Sequence, residues 1–327
     1  MTDSPDQAQV AVEQARVAVP FDDLPVLPAS RLRHAWQVYP PGDQMGTLNR
    51  LTGPVVAAAA ATVRSGVRVG LSLPIELPDP PLFGRQAVRH QIFAAGRNTW
   101  DDCLDNLYPQ ASSQWDSLRH VRAREDGFYG GWLGDPDTDP GPLGIQHWAR
   151  PGIVGRGVLA DLAGRGGLDP FEPHVFEVAD LEQALRAQQT TLRYGDILCV
   201  RTGWADRYLA LDQAGRVELA QRFEQPAQRA WAGLSAGEDM SRFLWDSGVA
   251  AVVSDNPAVE VAPGDPAVGS LHRRLIPCLG FALGELFDFT ALGPACRQAG
   301  RHEFLFASVP LNITGGVGSP ASAVAIF

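Results

Sequence analysis

Ile197-Leu-Cys-Val-Arg201 is apolar for four residues before its arginine, and Val249-Ala-Ala-Val-Val253 is apolar throughout. Neither stretch alternates between polar and apolar residues, as a strand with one wet face would. A short continuous apolar run is how a strand covered on both sides reads. These two runs predict a layered α/β fold with helices around the sheet. Further strand-like runs lie at 67–73, 153–159, 304–309 and 323–327.

Helical patterns are few. One is expected over 54–63, with Pro54 near its first position and Gly66 past its end, the usual asymmetry of helix termini. A second is expected over 181–188 behind Asp180 as N-cap, and a third over 241–246, closed by Gly248. With 26 Pro and 34 Gly, the chain is punctuated into short elements. Residues 125–150 are dense in Gly, Pro, Asp and aromatics and read as a long ordered loop over a pocket. No internal repeat or linker interrupts the chain, so one domain is expected over 30–327. It follows a mobile leader at 1–29, whose first twenty residues carry acids and glutamines where a secretory signal would carry basic and then apolar residues.

All 27 basic residues are arginine. Without lysine, Schiff-base, pyridoxal phosphate and P-loop chemistries are excluded, because each needs a lysine amine in a defined role. A net charge of −10 gives no footprint for nucleic acid or an anionic bilayer. The longest apolar stretch, 55–63, is too short to span a membrane. Cys103, Cys199, Cys278 and Cys296 are scattered without a CxxC pair, which suits neither a zinc site nor a disulfide framework. The expectation is a cytoplasmic protein whose partner is a small-molecule substrate.

Two polar clusters carry the chemistry. In the stretch from Gln110 to His120, the side chains of Gln110, Gln114, Asp116 and His120 can converge, because residues two apart in an extended segment share a face. His272 and Glu285 flank a short apolar segment, and a His–carboxylate pair offers an imidazole nitrogen and a hard oxygen to a divalent cation.

The pattern Gln110-x-x-Ser113-Gln114-Trp115-Asp116-x-x-x-His120 resembles the His-x-Gly-Thr-His-x-Asp-x-Pro-x-His signature of the cyclase-like metal hydrolases, the family of kynurenine formamidase and isatin hydrolase. The resemblance continues through Asp101-Asp102, Tyr129-Gly130-Gly131, residues 152–161, Arg201-Thr202-Gly203-Trp204, Ser254-Asp255-Asn256-Pro257, His272, Gly284-Glu285-Leu286 and residues 315–320. It covers roughly residues 30–327 and looks like the longer bacterial and fungal branch.

The resemblance implies a swivelling β/β/α-type single domain with short strands and surrounding helices, assembled as a homodimer or homotetramer. It implies a manganese or zinc ion bound at the positions of Gln110, Gln114, Asp116, His272 and Glu285. Both signature histidines are glutamine here, and a neutral amide oxygen suits hard cations better than zinc. One divalent metal is therefore expected, held by Asp116, His272 and Glu285, with His120 as acid/base. Gln110 and Gln114 are assigned to catalysis as donors to a developing oxyanion. The expected reaction is arylformamidase-like hydrolysis of an amide, lactam or lactone. The alternatives are a degenerate, ligand-binding member of the scaffold and a dehydratase or cyclase using the same site. Trp115, Phe128, Tyr129, Trp132 and Trp148 are expected to wall the pocket, with Trp115, Tyr129 and Arg201 touching substrate and Arg201 taking its carboxylate.

Overall fold

The computed structural model describes residues 17–327. Its centre is a nine-stranded mixed sheet. In chain order the strands are β1 (Arg68–Gly70), β2 (Arg89–Gly96), β3 (Thr99–Asp105), β4 (Gln114–Asp116), β5 (Ile153–Asp161), β6 (His174–Phe176) and β7 (Ile197–Arg201). They continue with β8 (Ala232–Leu234), β9 (Ala251–Ser254), β10 (Ala282–Glu285), β11 (Glu303–Ser308), β12 (Gly318–Pro320) and β13 (Ala323–Ile326). The large sheet runs β1-β13-β11-β5-β7-β9-β10-β4-β12, while β2 pairs only with β3 and β6 only with β8. Strands β5, β7, β9 and β10 are parallel, and antiparallel strands complete both sides.

The opening runs behave as their composition demands. Ile197, Leu198, Cys199, Val200 and the stretch from Val249 to Val253 are entirely inaccessible. Each such aliphatic side chain contributes about 1.5–3 kcal/mol on leaving water. Helices Gly53–Ala60 and Val178–Ala187 pack on β5, the neighbour of β7 in the sheet. The layered α/β expectation is met, and no helix among the described residues is long and apolar enough to cross a membrane.

Several boundaries differ. The second expected helix begins at Val178 because Glu177 is its N-cap: the Glu177 and Asp180 carboxylates exchange hydrogen bonds with each other's backbone N–H, so Asp180 is the third helical residue of a capping box. Residues 1–16 of the expected leader lie outside the described residues. Residues 17–29 belong to the packed body. Phe21, Leu24 and Leu27 are buried, and the Trp245 indole donates to the Val19 carbonyl at 2.8 Å. Strands β2 and β3 form an antiparallel ribbon exposed along its whole length, which the Asp-rich sequence did not suggest.

The 125–150 segment is ordered by a cation. Arg119 is buried and donates to the carbonyls of Pro136, Asp139 and Pro142, with its guanidinium 5.1 Å from the Trp132 ring centre. The Ile145 N–H then bonds the Gly316 carbonyl, which ties the segment to the approach to β12.

Candidate metal centre

Strand β4 lies between β10 and β12. Its register sets Gln114 opposite Glu285 and Asp116 opposite Leu283. Directly opposed residues project to one face, as do residues two apart on a strand. Gln114, Asp116 and Glu285 therefore share a face, and Trp115 is turned to the other. On the far side Gly318 is opposite Asp116, where a Cβ would come within 2.8 Å of Gln110 Cγ and of the Trp115 carbonyl. Glycine at that point admits Gln110 to the site.

His272 arrives on a single helical turn, Leu271–Arg273, capped by Ser270 and continued by a π-helical turn over Arg274–Leu279. Glu260 organises this approach. Its carboxylate accepts the Leu271 N–H and the Ser270 hydroxyl, and it lies 3.1 Å from His272 Nδ1. His272 Nε2 is 2.7 Å from Glu285 Oε1 and 3.8 Å from Asp116 Oδ2. The Glu285 carboxylate also accepts the Gln114 amide N–H.

Ligand atoms of Asp116, His272 and Glu285 all lie within 4.8 Å of one another. Two oxygens in the cluster, Asp116 Oδ2 and Gln114 Oε1, are buried without a hydrogen-bond donor. A buried acceptor left unpaired costs about 1–3 kcal/mol, and oxygens of this kind beside an imidazole nitrogen suit a divalent cation. The residues present thus fit a metal.

His120 is about 30% exposed and lies at the edge of the cluster. Gln110 Nε2 is 3.0 Å from His120 Nδ1 and 3.4 Å from Asp116 Oδ1. An NH2 group can serve both acceptors, whereas an amide oxygen there would face the Asp116 oxygen, so the amide donates to Nδ1. The remaining ring proton then belongs on Nε2, which is 3.7 Å from Asp116 Oδ2.

Electrostatics follow from burial and crowding. Burial, followed by the Asp116 charge, pushes the Glu285 carboxyl above its ordinary range against the pull of His272. Burial alone would lower the His272 pKa, but hydrogen bonds and charges from Glu260 and Glu285 raise it well above its usual value. Glu260 goes the other way: burial would raise it, and bonds from His272, Leu271 and Ser270 draw it below the usual value.

The Cyclase family profile matches residues 69–261. The crystal structure of a novel cyclase shares 30% sequence identity and superposes with a TM-score of 0.80 over 93% of this chain and 100% of that one. The chain belongs to the cyclase family. Isatin hydrolase A from Labrenzia aggregata, at 16% identity, has a TM-score of 0.55 over 86% of this chain and 98% of its own. The isatin hydrolase A from Ralstonia solanacearum gives 17%, 0.56, 83% and 95%. These last two likenesses are of fold. No curated protein sequence matches significantly.

This cyclase-family chain brings together Gln110, Gln114, Asp116, His120, His272 and Glu285, as the resemblance implies. It does not use the two glutamines as expected. Their N–H groups are aimed at Glu285, His120 and Asp116, inside the cluster, rather than outward at an oxyanion.

The anticipated substrate contacts are also corrected. Trp115 is 0% exposed, donates to Ser308 Oγ at 2.9 Å and packs edge-on against Phe287 and Phe306. Tyr129 is buried with its hydroxyl 3.1 Å from Asp43 Oδ2, and burial together with that carboxylate raises its pKa far above the ordinary value. Phe128 and Trp148 are likewise core residues. Arg201 is held by Asp161 at 2.8 Å and Asp206 at 3.0 Å, so its fork is already occupied.

Two residues were missed. Glu260 is an acid between Val259 and Val261, and a charge inside an apolar run was the available signal. Arg85 had no signal: it ends the turn-rich stretch from Pro78 to Gly84. Its guanidinium is partly buried 5.2 Å from the Phe83 ring centre. Burial lowers its pKa and the charges of Glu285 and Asp116 raise it, and the loop that carries it is bonded to Ser112 and Ser113 at the entry to β4.

Proposed function

We propose that the chain is a metal-dependent hydrolase that opens an amide, lactam or lactone, with one divalent cation held by Asp116, His272, Glu285 and the Gln114 amide oxygen. The observation that carries the reading is the pair of buried, donorless oxygens, Asp116 Oδ2 and Gln114 Oε1, beside the His272–Glu285 pair. When bound, such a cation supplies Lewis acidity, polarising a carbonyl and lowering the pKa of a water.

The chain's own residues do the rest. Glu260 holds the Nδ1 proton of His272 and so directs Nε2 toward the cluster, the carboxylate–histidine arrangement that orients metal-binding imidazoles. Gln114 keeps the Glu285 carboxylate in place with its N–H while its oxygen faces the other way. His120, fixed by Gln110, is the proton carrier: Nε2 already holds a proton, so Nδ1 accepts the proton of the attacking water as the Gln110 N–H gives way, and returns it to the leaving nitrogen or oxygen. An amide oxygen in place of an imidazole favours a hard cation, so manganese is preferred to zinc.

The test is elemental analysis of protein purified without added metal, followed by manganese-dependent assays against N-formyl aromatic amines, isatin and small lactones. Near-stoichiometric metal and turnover, both abolished by Asp116→Ala, are expected. A protein that takes up no manganese at millimolar concentration, or turnover indifferent to chelators, would overturn the reading and favour a ligand-binding role.

A further inference from the structure

The loop that carries Arg85 is fastened beside the metal cluster by several independent contacts. Ser112 Oγ donates to the Pro74 carbonyl at 3.1 Å, and the Leu73 N–H donates to Ser113 Oγ at 2.8 Å, two and one residues before Gln114. Leu82 and Leu286 are buried in one apolar cluster, with Phe83 packed against it. Phe83 also lies edge-on to Trp231, whose indole donates to the Glu260 carbonyl at 2.8 Å. The loop therefore bonds to the residues before Gln114, shares an apolar cluster with Leu286 beside Glu285, and packs on the indole that holds the Glu260 carbonyl.

Two bulky residues here have left-handed backbones, Phe83 with φ 60° and Leu286 with φ 53°. Such residues persist where surrounding packing imposes the conformation, and they gather at functional sites. The strained pair brackets Arg85 on one element and Glu285 on the other.

Arg85 differs from Arg50, Arg119, Arg156 and Arg201. Arg50 and Arg119 give their N–H groups to backbone carbonyls, and Arg156 and Arg201 give theirs to carboxylates. The Arg85 fork has no hydrogen-bond or ion-pair partner among the described residues, although Phe83 supports one of its faces. A guanidinium that is held in place, partly buried and unpaired is prepared for a planar two-oxygen anion.

We propose that Arg85 is the anion-recognising residue of this site and selects substrates that carry a carboxylate beside the amide or ester bond to be cleaved. The proposal rests on the hydrolase reading for the bond, and on the Arg85 geometry alone for the carboxylate. It replaces Arg201, whose fork is filled.

The test uses 2-carbamoylbenzoate, an aromatic amide with an adjacent carboxylate, and phthalamide, its neutral diamide counterpart. Both are titrated calorimetrically into the full chain with and without manganese. The wild type is expected to bind the carboxylate probe at least tenfold more tightly than the diamide. Arg85→Gln erases that preference, Arg85→Lys retains part of it, and Arg201→Gln leaves it intact. Removing a positive charge beside Asp116 and Glu285 should leave manganese affinity unchanged or tighter, which loss of a structural residue would not do. If Arg85→Gln keeps the preference or weakens both probes equally, or if neither probe binds the wild type, the proposal is overturned. Should Arg85→Gln fail to fold, a full wild-type preference in Arg85→Lys would have the same force. An Arg85-dependent preference in a protein that binds no manganese would sink the hydrolase reading and leave the anion site standing.

Discussion

Gln110 Nε2 lies 3.0 Å from His120 Nδ1, and this one contact selects the imidazole tautomer that places a proton on Nε2, toward Asp116. The Asp116 carboxylate, 3.7 Å from Nε2, favours the same tautomer from farther away.

His120→Gln should therefore cost about 10²–10⁴ in turnover on any substrate identified, the usual worth of a placed acid/base, while metal content stays unchanged. Gln110→Ala should leave His120 present with mixed tautomers, read directly from its side-chain ¹⁵N shifts. A wild-type ring protonated on Nδ1 instead would refute the assignment.

Metal affinity should respond to Gln114, which stands at a signature metal position, and to Glu260, which lies outside the signature. Gln114→Ala removes a ligand oxygen and is expected to weaken manganese binding at least tenfold. Gln114→His should move preference toward zinc, since imidazole nitrogen suits it better. Glu260→Gln should weaken manganese about 10–100-fold by releasing the His272 ring, although Glu260 touches no metal. Isothermal titration distinguishes these cases, and an unaltered affinity in Gln114→Ala would return that residue to a catalytic role.

Trp115 sits in the signature but belongs to the core, so Trp115→Ala should cost about 3–5 kcal/mol of stability. Urea unfolding measures this. The folded fraction should keep its affinity for 2-carbamoylbenzoate, and a selective loss of that affinity would put Trp115 back in the pocket.

Asp255 is fully buried. It accepts the Thr202 N–H and hydroxyl and the Gly203 N–H, yet burial outweighs these bonds and pushes its carboxyl up to about 6 from 3.8. A group raised on folding contributes stability that is complete below its unfolded pKa and is lost as pH rises through the folded one. The stability advantage of the wild type over Asp255→Asn should therefore shrink by up to about 3 kcal/mol between pH 4 and pH 7. A gap that stays constant over that window would show that the three bonds keep the carboxyl ionised throughout.

How much of this was legible depended on whether a residue's role was local. The runs at 197–201 and 249–253 are buried strands because their own composition forbids a wet face. Gln114 and Asp116 share a face because strand geometry separates them by two. Trp115 lies between them, and the same alternation that gathers the site also turns the indole inward. That inference was available once β4 was recognised, but three residues are too few for a sequence pattern to announce a strand. Arg201 was misread because Asp161 and Asp206 reach it only through the parallel register of β5 and β7 and the helix that follows. Arg85 was out of reach for a related reason, since it matters through neighbours distant along the chain, whereas the charge of Glu260 inside an apolar run marked the residue but not its partner His272.

The ribbon of β2 and β3 has a further consequence. Every one of its residues is exposed, and its strands bond only to each other, so the nine-stranded sheet gives up no hydrogen bond if the ribbon is shortened or cut. Its tip at Arg97-Asn98 is accordingly where the chain can accept foreign sequence, such as an epitope or a reporter domain, without disturbing the cluster built on β4 and β10.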